Sequence, residues 1–250
     1  MSEPRLTLLL ALADDELVIG HRHLRWTGVA PHIEEDLAFS SIAQDEIGHA
    51  VVWLGLAGEL GHQDPDQLGL GRSPDEYRHA VLCERPNRDW AFTLARQYCY
   101  DLADDVRLEA LASSSWRAVA NATGALRREE RYHLLHARTW LDRLASGPQV
   151  ARAKLAEGLT ATVAEAAGLF EALPGEGELV AAGILPVGHD ELLTRWRAVV
   201  GAELEPYGLG GVLKGLGGGL GGRHGRHSED FTQLWEEMTG LYRAYPGARW

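Results

Sequence analysis

Two Glu-x-x-His motifs, at residues 46–49 and 130–133, constrain the fold of this chain more than any other feature of its sequence. Positions i and i+3 of a helix face the same way, so each motif directs one carboxylate and one imidazole at a single point. Glu16 lies 30 residues before the first motif, and Asp101 lies 29 residues before the second. Two such motifs and two further acids, contributed by four helices, form the ligand set of a di-iron or di-manganese site in a helical bundle.

Helical periodicity places both motifs on apolar faces. Apolar residues recur at steps of three and four over residues 6–24, and Glu16 lies within that stripe. A second stripe over residues 39–60 contains the first motif, and helices are predicted at about 89–120 and 125–144. Acids on apolar faces are costly unless they have a partner, so these carboxylates are expected to have one.

The sequence therefore predicts one metal site with ligands from all four helices. The predicted ligands are Glu16, Glu46, His49, Asp101, Glu130 and His133. Carboxylates can bridge two cations, and neutral imidazole suits iron. A third Glu-x-x-His, at residues 76–79, lies outside any helical stripe and is interpreted as a chance match to a motif of low specificity.

The third helix offers the least determined ligand. Asp101 has the matching spacing, but Asp105 shares its face and Asp104 lies nearby, so the choice among the three stays open. Asp45 and Glu129 each precede a motif histidine by four residues and are positioned to hold it by a hydrogen bond, a role for which Asp105 is a further candidate. The alternative is that Asp45 and Glu129 face solvent.

Beyond a predicted bundle core at about residues 6–145, the chain changes character. Pro and Gly interrupt residues 62–88, a connection long enough to be the crossover between helices two and three of a bundle. C-terminal helices are expected at about residues 149–172, 189–205 and 229–243. A glycine-rich flexible connector is predicted at residues 208–222. No strand alternation is visible, so we predict one all-α domain over residues 1–250, a four-helix bundle with a C-terminal helical extension.

Composition and charge exclude several classes of function. The formal net charge is −12, with 36 acidic residues against 24 lysines and arginines, which argues against nonspecific binding to nucleic acid or anionic membranes. No apolar stretch approaches the roughly 20 residues that span a bilayer. Cys83 and Cys99 form no CxxC motif and are interpreted as free thiols, so we expect a cytoplasmic protein.

Polar residues outside the motifs are first given structural interpretations. The histidines interpreted as surface or satisfied core residues are His21, His23, His62, His136 and His189. A basic cluster near the C-terminus is a candidate contact for a phosphate-bearing ligand or an acidic partner, with a solvated loop as the alternative. Its members are Arg223, His224, Arg226 and His227.

Over nearly its full length, the chain resembles the C subunits (PaaC) of bacterial phenylacetyl-CoA 1,2-epoxidase, in the ferritin-like superfamily. The resemblance is carried by residues 91–98, 131–134 and 225–229, and by the terminal Tyr-Pro-Gly-Ala-Arg-Trp at residues 245–250. It implies a ferritin-like bundle and a structural role beside a catalytic A subunit that holds the working di-iron centre. It also implies a hetero- or homo-oligomer that includes a small B subunit, a flavin/iron–sulfur reductase and a CoA thioester near the subunit interface.

The resemblance and the motifs favour different functions. C subunits of this family can lack several metal ligands, yet all six positions here carry competent residues. The chain is therefore expected to be a structural subunit, or itself a di-iron or di-manganese oxygenase. A ferritin-like storage or ferroxidase protein and a metal-free helical bundle are the remaining alternatives.

Overall fold

The computed structural model describes residues 2–245, 247 and 248, without the side chain of Ser2. The regular secondary structure of the described residues consists of helices, without strands. The all-α prediction is therefore confirmed, and the fold is consistent with a ferritin-like helical bundle. The chain divides into two compact units: unit 1 is Met1–Pro86 with Gly221–Trp250, and unit 2 is Asn87–Leu220. That residues 1–250 form a single domain stays a prediction.

Each unit contains both long helices and short helices of four to six residues. In chain order the α-helices of the described residues are α1 (Ser2–Leu24), α2 (Ile33–Gly61), α3 (Pro65–Leu70), α4 (Val81–Glu84), α5 (Trp90–Leu111), α6 (Arg117–Ala145), α7 (Gln149–Ala166), α8 (Glu176–Ala181), α9 (His189–Leu204) and α10 (Glu229–Ala244). Helices α1 to α4 and α10 belong to unit 1, and α5 to α9 belong to unit 2.

In unit 1, α1 and α2 pack against each other as an antiparallel hairpin. They approach closely because Gly20 has no side chain: a β-carbon there would lie 3.0 Å from Ile47 Cγ1 and 3.2 Å from the Ala43 carbonyl oxygen. Phe39 and Trp53 of α2 are almost fully buried. The close approach lies one turn after the acid of α1 and beside the motif of α2, so it fixes the helices where the predicted ligands lie.

The shorter elements of unit 1 cover this hairpin. Helix α3 packs on α2, α4 packs on α1, and α10 packs on both α3 and α4. Residues 62–88 are therefore more regular than predicted, with two short helices and a 3₁₀ turn at Pro74–Glu76. Asp64 caps α3 by accepting a hydrogen bond from the Asp66 N–H at 3.0 Å. Helices this short contain too few turns for apolar periodicity to reveal them.

In unit 2, α5 is the central helix and packs against α6, α7 and α9. Nearly every residue over 91–111 is buried. Helix α7 comes closest at Gly158, where a β-carbon would lie 3.0 Å from the Ala91 carbonyl oxygen. The Trp196 indole of α9 donates a hydrogen bond to the Cys99 carbonyl at 3.1 Å. The helix that carries the least determined ligand is thus held by three neighbours.

The third and fourth helices differ from their predicted bounds. Helix α5 ends at Leu111 and α6 begins at Arg117, so the third helix is shorter and the fourth is longer than predicted. Between them, Ser114 Oγ donates to the Ile184 carbonyl at 2.7 Å and accepts from the Trp116 N–H at 3.1 Å. Serine hydrogen bonds of this kind compete with helix continuation, and apolar periodicity does not reveal them.

The C-terminal half contains more structure than predicted. Helices α7, α9 and α10 occupy the expected positions, whereas α8 had no sequence signal. The glycine-rich segment, predicted to be a flexible connector, contains a 3₁₀ segment at Gly210–Gly215. Gly217 N–H donates to the Ala164 carbonyl at 3.0 Å, and a β-carbon at Gly217 would lie 2.7 Å from that oxygen. Glycine therefore permits a close contact with α7 here.

Three further expectations concern the thiols, membranes and the C-terminus. Cys83 and Cys99 are both free and buried, as predicted. Among the described residues, no helix has both the length and the apolarity needed to cross a membrane. Pro246, Arg249 and Trp250, part of the terminal sequence that carries the family resemblance, lie outside the described residues.

Candidate metal centre

The α1–α2 hairpin of unit 1 brings together three of the six predicted ligands. Glu16, Glu46 and His49 are each at most 1% exposed. His49 Nδ1 lies 3.8 Å from Glu16 Oε2, which is too long for a hydrogen bond. The distance suits two atoms bound to one metal ion, because ligands about 2.1 Å from a metal lie roughly 3 to 4 Å apart. These side chains form the first half of the predicted ligand set.

His23 also belongs to this half, although its spacing did not single it out as a functional residue. It is fully buried, and its Nδ1 donates a hydrogen bond to Glu46 Oε2 at 2.9 Å. Its ring packs edge-on against Phe39, with centroids 5.2 Å apart. His23 lies seven residues, or two helical turns, after Glu16, so its place on the ligand face of α1 was a signal available in the sequence.

The two acids that precede Glu16 are held by arginines. Arg72 forms a buried ion pair with Asp14, with Nη1 3.0 Å from Oδ2. Arg223 forms a second buried pair with Asp15, with Nη2 2.7 Å from Oδ2. Because protein cations balance both carboxylates, we assign them structural roles and retain Glu16 as the candidate ligand of this acidic run.

The α5–α6 hairpin of unit 2 brings together the other three predicted ligands. Asp101 is fully buried, and Glu130 and His133 are each 1% exposed. His133 Nδ1 lies 3.2 Å from Glu130 Oε1, as expected for positions i and i+3 of one helix. The Gln97 amide approaches the His133 backbone carbonyl at 3.5 Å. These side chains form the second half of the predicted ligand set.

Asp101 lies in surroundings that disfavour its charge. Burial raises the pKa of Asp101 well above its usual value, the Glu130 carboxylate raises it further, and His133 and the Gln97 amide lower it by less. Within the described residues, neither Asp101 oxygen accepts a hydrogen bond of normal geometry. An ionised carboxylate in such a place would be stabilised by a nearby cation.

The placement of the neighbouring acids supports Asp101 as the ligand from α5. Asp104 forms a buried ion pair with Arg107, with Oδ1 2.9 Å from Nη2. Asp105 is half-buried, and its pKa is raised mainly by burial while Arg127 lowers it. Asp104 therefore has a cation already, and Asp105 lies nearer solvent than Asp101.

The acids expected to support the motif histidines differ in exposure. Asp45 on α2 is half-buried, whereas Glu129 on α6 is exposed. Asp45 is the better placed of the two to hold its histidine, and the supporting roles of Asp45, Glu129 and Asp105 stay predictions.

The predicted basic cluster separates into buried and exposed members. Arg223 is 2% exposed and bound to Asp15. The side chain of His227 is buried, with Nδ1 2.9 Å from Glu84 Oε2. His224 and Arg226 are exposed. Contact with an external ligand or partner therefore stays a prediction for which the exposed pair is better placed.

Each half offers two carboxylates and one imidazole, so the six residues together have the donors of a di-iron or di-manganese carboxylate centre. Asp101 fits such a centre, because a metal ion would supply the charge that its surroundings lack. That the two halves form one site is the prediction made from spacing, and it stays a prediction.

Comparison with known proteins gives two matches that extend over the chain. A family model described as phenylacetic acid catabolic protein matches residues 1–250. The chain is 34% identical over 242 residues to the C subunit of 1,2-phenylacetyl-CoA epoxidase from Escherichia coli strain K12. The alignment covers 96% of this chain and 97% of that relative, so the likeness includes both units.

Proposed function

The chain belongs to the phenylacetic acid catabolic protein family, and from that premise we propose that it is the C-type subunit of a multicomponent phenylacetyl-CoA 1,2-epoxidase. Its role in this proposal is structural: it supports a catalytic A-type subunit in aerobic phenylacetate degradation. The observation that carries the proposal is the 34% identity to an epoxidase C subunit over nearly the whole length of both chains.

An uncharged stripe along α2 supports a role as a binding partner. Its members recur at steps of three or four and are exposed: Ile33, Leu37, Ser41, Gln44, Gly48 and Val51. The three large apolar members, Ile33, Leu37 and Val51, are 72%, 66% and 61% exposed. Aligned apolar side chains on a surface are typical of protein–protein contacts, so we assign this α2 stripe to a subunit interface.

A second surface, on α6 of unit 2, combines apolar and cationic side chains. Tyr132 and Leu135 are 74% and 60% exposed, and together with Arg128 and Arg131 they line a shallow depression. Aromatic and arginine side chains are enriched where proteins bind partners. The two guanidinium groups would also suit the phosphates of a CoA thioester near the interface. We call these four residues the α6 patch.

The two halves of the candidate metal centre give this proposal its alternative. All six predicted ligands are buried, which supports a chain that itself binds iron or manganese ions. When bound, such metal ions would supply oxygen activation. The residues of this chain would position the ions and exclude water from them, since all six are buried.

Further components follow from the proposed assembly. We propose that a small B-type subunit and a flavin/iron–sulfur reductase complete the system, and that the whole acts in the cytoplasm. The two free, buried thiols support a reducing intracellular compartment.

Co-expression with the A-type subunit tests the structural role. We expect the A-type subunit to be soluble and active only when this chain is present. Leu37→Glu and Leu135→Glu place a charge on the α2 stripe and the α6 patch, and each should weaken the complex at least about tenfold, as a change of roughly 1.4 kcal/mol would. Val150→Glu, at a valine 77% exposed on α7, is the matched control.

The proposal fails if the A-type subunit alone is stable and turns over at the rate of the complex. The alternative is tested by reconstituting the purified chain with Fe(II) and measuring its metal content. Two ions per chain would favour it, whereas wild-type turnover in a Glu46→Ala complex would exclude catalysis at this site.

A further inference from the structure

A second group of metal-ligand side chains lies in unit 1 and takes no part in the centre described above. His79, Glu84 and His227 each offer one ligand atom within 4.8 Å of the other two. His79 and Glu84 are fully buried, and the side chain of His227 is 5% exposed. Glu84 Oε2 lies 2.7 Å from His79 Nε2 and 2.9 Å from His227 Nδ1.

Close backbone contact brings these residues together from distant parts of the chain. A β-carbon at Gly222 would lie 2.2 Å from the His79 carbonyl oxygen, and one at Gly225 would lie 2.1 Å from the Asp75 carbonyl oxygen. Only glycine permits these contacts, and Gly225 also has a φ of +75°. Residues 222–225 therefore pack directly against residues 75–79, and this contact places His227 beside Glu84.

The contacts around His227 and Glu84 orient the ligand atoms of these two residues as a metal site requires. His227 Nε2 donates to the Tyr77 carbonyl at 3.1 Å, and Ser228 N–H donates to Glu84 Oε1 at 2.6 Å. A histidine ligand ordinarily donates its other ring N–H to a carbonyl or carboxylate, and ligating carboxylates are hydrogen-bonded in turn. These contacts leave His227 Nδ1 and Glu84 Oε2 facing His79.

The number of hydrogen-bond donors on the His227 ring also favours a bound cation. Both ring nitrogens face oxygen acceptors, from the Glu84 carboxylate and the Tyr77 carbonyl. A neutral imidazole carries one N–H and can satisfy one of them, so the other nitrogen needs either a second proton or a metal ion. The Arg22 side chain donates to the Glu84 backbone carbonyl, with Nε at 2.8 Å, so Glu84 Oε2 is left to the two imidazoles.

The protonation states of His79 and Glu84 suit metal binding. Burial lowers the pKa of His79, and the adjacent His227 lowers it further, so the neutral ligand form is favoured. Burial alone would raise the pKa of Glu84, but hydrogen bonds from His227 and His79 outweigh it and hold the pKa well below its usual range. Neutral imidazole and ionised carboxylate are the forms that bind metals.

We infer that His79 Nε2, Glu84 Oε2 and His227 Nδ1 bind one divalent transition-metal ion of the zinc class. Two histidines and a carboxylate are a known ligand set for Zn²⁺ with an open fourth position. Ligand atoms about 2.1 Å from a tetrahedral ion lie about 3.4 Å apart, so the present N–O distances of 2.7 and 2.9 Å would each increase by about 0.5 to 0.7 Å. The ion would join residues 79–84 to a residue 143 positions beyond Glu84.

The rival state of the same group is a proton-linked bridge. The His79 and His227 rings are stacked, with centroids 4.0 Å apart and planes at 15°, an arrangement that a protonated His227 beside Glu84 would also satisfy. The residues therefore bind either a proton or a metal ion at the same atoms, and measurement of Zn²⁺ binding distinguishes the two states.

Zinc titration of the purified full-length chain tests the inference. We compare the wild type with His227→Gln and His79→Asn, and use His32→Ala as the control because His32 is exposed and makes no capping hydrogen bond. We expect each site variant to bind one Zn²⁺ fewer than the wild type, or to bind it at least about 100-fold more weakly, whereas the control is unchanged. Equal stoichiometry and affinity in all four proteins would overturn the inference.

An anomalous difference map at the zinc edge keeps the test independent of variants that fail to fold. Wild-type crystals grown with Zn²⁺ should show a peak bonded to the three named atoms. A map with peaks only at the predicted carboxylate centre, or with none, would leave the His79 group as a proton-linked bridge and overturn the inference. Neither outcome bears on the proposed epoxidase role, which is tested by co-expression.

Discussion

The hairpins of the two units carry matching ligand sets but differ in what balances their acids. In the α1–α2 half, Glu46 accepts a hydrogen bond from His23, and arginines hold the two acids next to Glu16. In the α5–α6 half, Asp101 lies beside Glu130, while the cation on the same helix, Arg107, pairs with a different acid.

A carboxylate can be buried because protein groups balance its charge or because a metal ion does, and the two hairpins differ in this respect. In the α1–α2 hairpin, Glu46 has a protein donor, and Asp14 and Asp15 have arginine partners, so these acids can be retained in a purely structural subunit. The charge of Asp101 is disfavoured by burial and by the Glu130 carboxylate. A bound metal ion would therefore stabilise the Asp101 carboxylate more than it would stabilise the paired acids of unit 1. The α5–α6 half is therefore the one that indicates whether the chain binds metal.

Removal of Arg223 should produce the largest effect of any single change considered. Arg223→Ala leaves the Asp15 carboxylate buried without its arginine, which we expect to lower the free energy of unfolding by about 3–5 kcal/mol. Denaturant unfolding of the metal-free chain measures the change.

Arg226→Ala is the matched control, since Arg226 lies three residues away in the same segment and is exposed. It should change stability by no more than about 0.5 kcal/mol. Equal losses in the two variants would mean that the acids of unit 1 are not balanced by specific cations, and the contrast with unit 2 would disappear.

Removal of the His23 donor should have the next largest effect. His23→Leu leaves Glu46 Oε2 buried without this hydrogen bond, at an expected cost of about 1–3 kcal/mol. Thermal unfolding in the presence of a chelator measures the change, and His21→Leu, a neighbour on α1, is the comparison variant. A His23→Leu chain as stable as the wild type would show that protein donors do not balance the α1–α2 half.

The corresponding change in unit 2 should have the opposite sign. Asp101→Asn removes a carboxyl group whose charge is disfavoured by burial and by Glu130, so the metal-free variant should gain stability at neutral pH. With metal added, the same variant should lose the gain and bind metal more weakly. Destabilisation of the metal-free variant would mean that the two halves are balanced alike.

The same residues show which features of the site could be predicted from the sequence. Apolar stripes predicted that all six ligands are buried, because a helical face can be derived from spacing alone. They placed Glu16 on the buried face of α1, but they did not predict that Asp14 and Asp15 are buried too, because the arginines that pair with these two acids come from distant segments. A pairing such as that of Arg223 with Asp15 spans 208 positions and leaves no periodic signal.

Pairing between distant segments also explains why the Glu-x-x-His motif at residues 76–79 could not be interpreted fully from the sequence. The sequence suggested a chance match, and Glu76 indeed caps its own 3₁₀ turn through Ser73 instead of joining His79. His79 finds its partners at Glu84 and His227, neither of which stands at a helical spacing from it. Chance spacing therefore concealed a real cluster, formed by tertiary contacts that only coordinates reveal.

The smallest expected effect on stability concerns the N-terminal caps of α5 and α2, two helices that carry predicted ligands. Asp89 caps α5 by accepting the Phe92 N–H at 2.9 Å, whereas the N-cap of α2, His32, makes no side-chain cap hydrogen bond. We expect Asp89→Ala to lower stability by about 1 kcal/mol, and His32→Ala to be nearly neutral. Asp89→Asn keeps the cap without the charge, so it should retain most of the stability and separate capping from the exposed ion pair with Lys154. If Asp89→Asn loses as much as Asp89→Ala, the ion pair rather than the cap stabilises the start of α5, and the helix that carries Asp101 would be as independent of capping as α2.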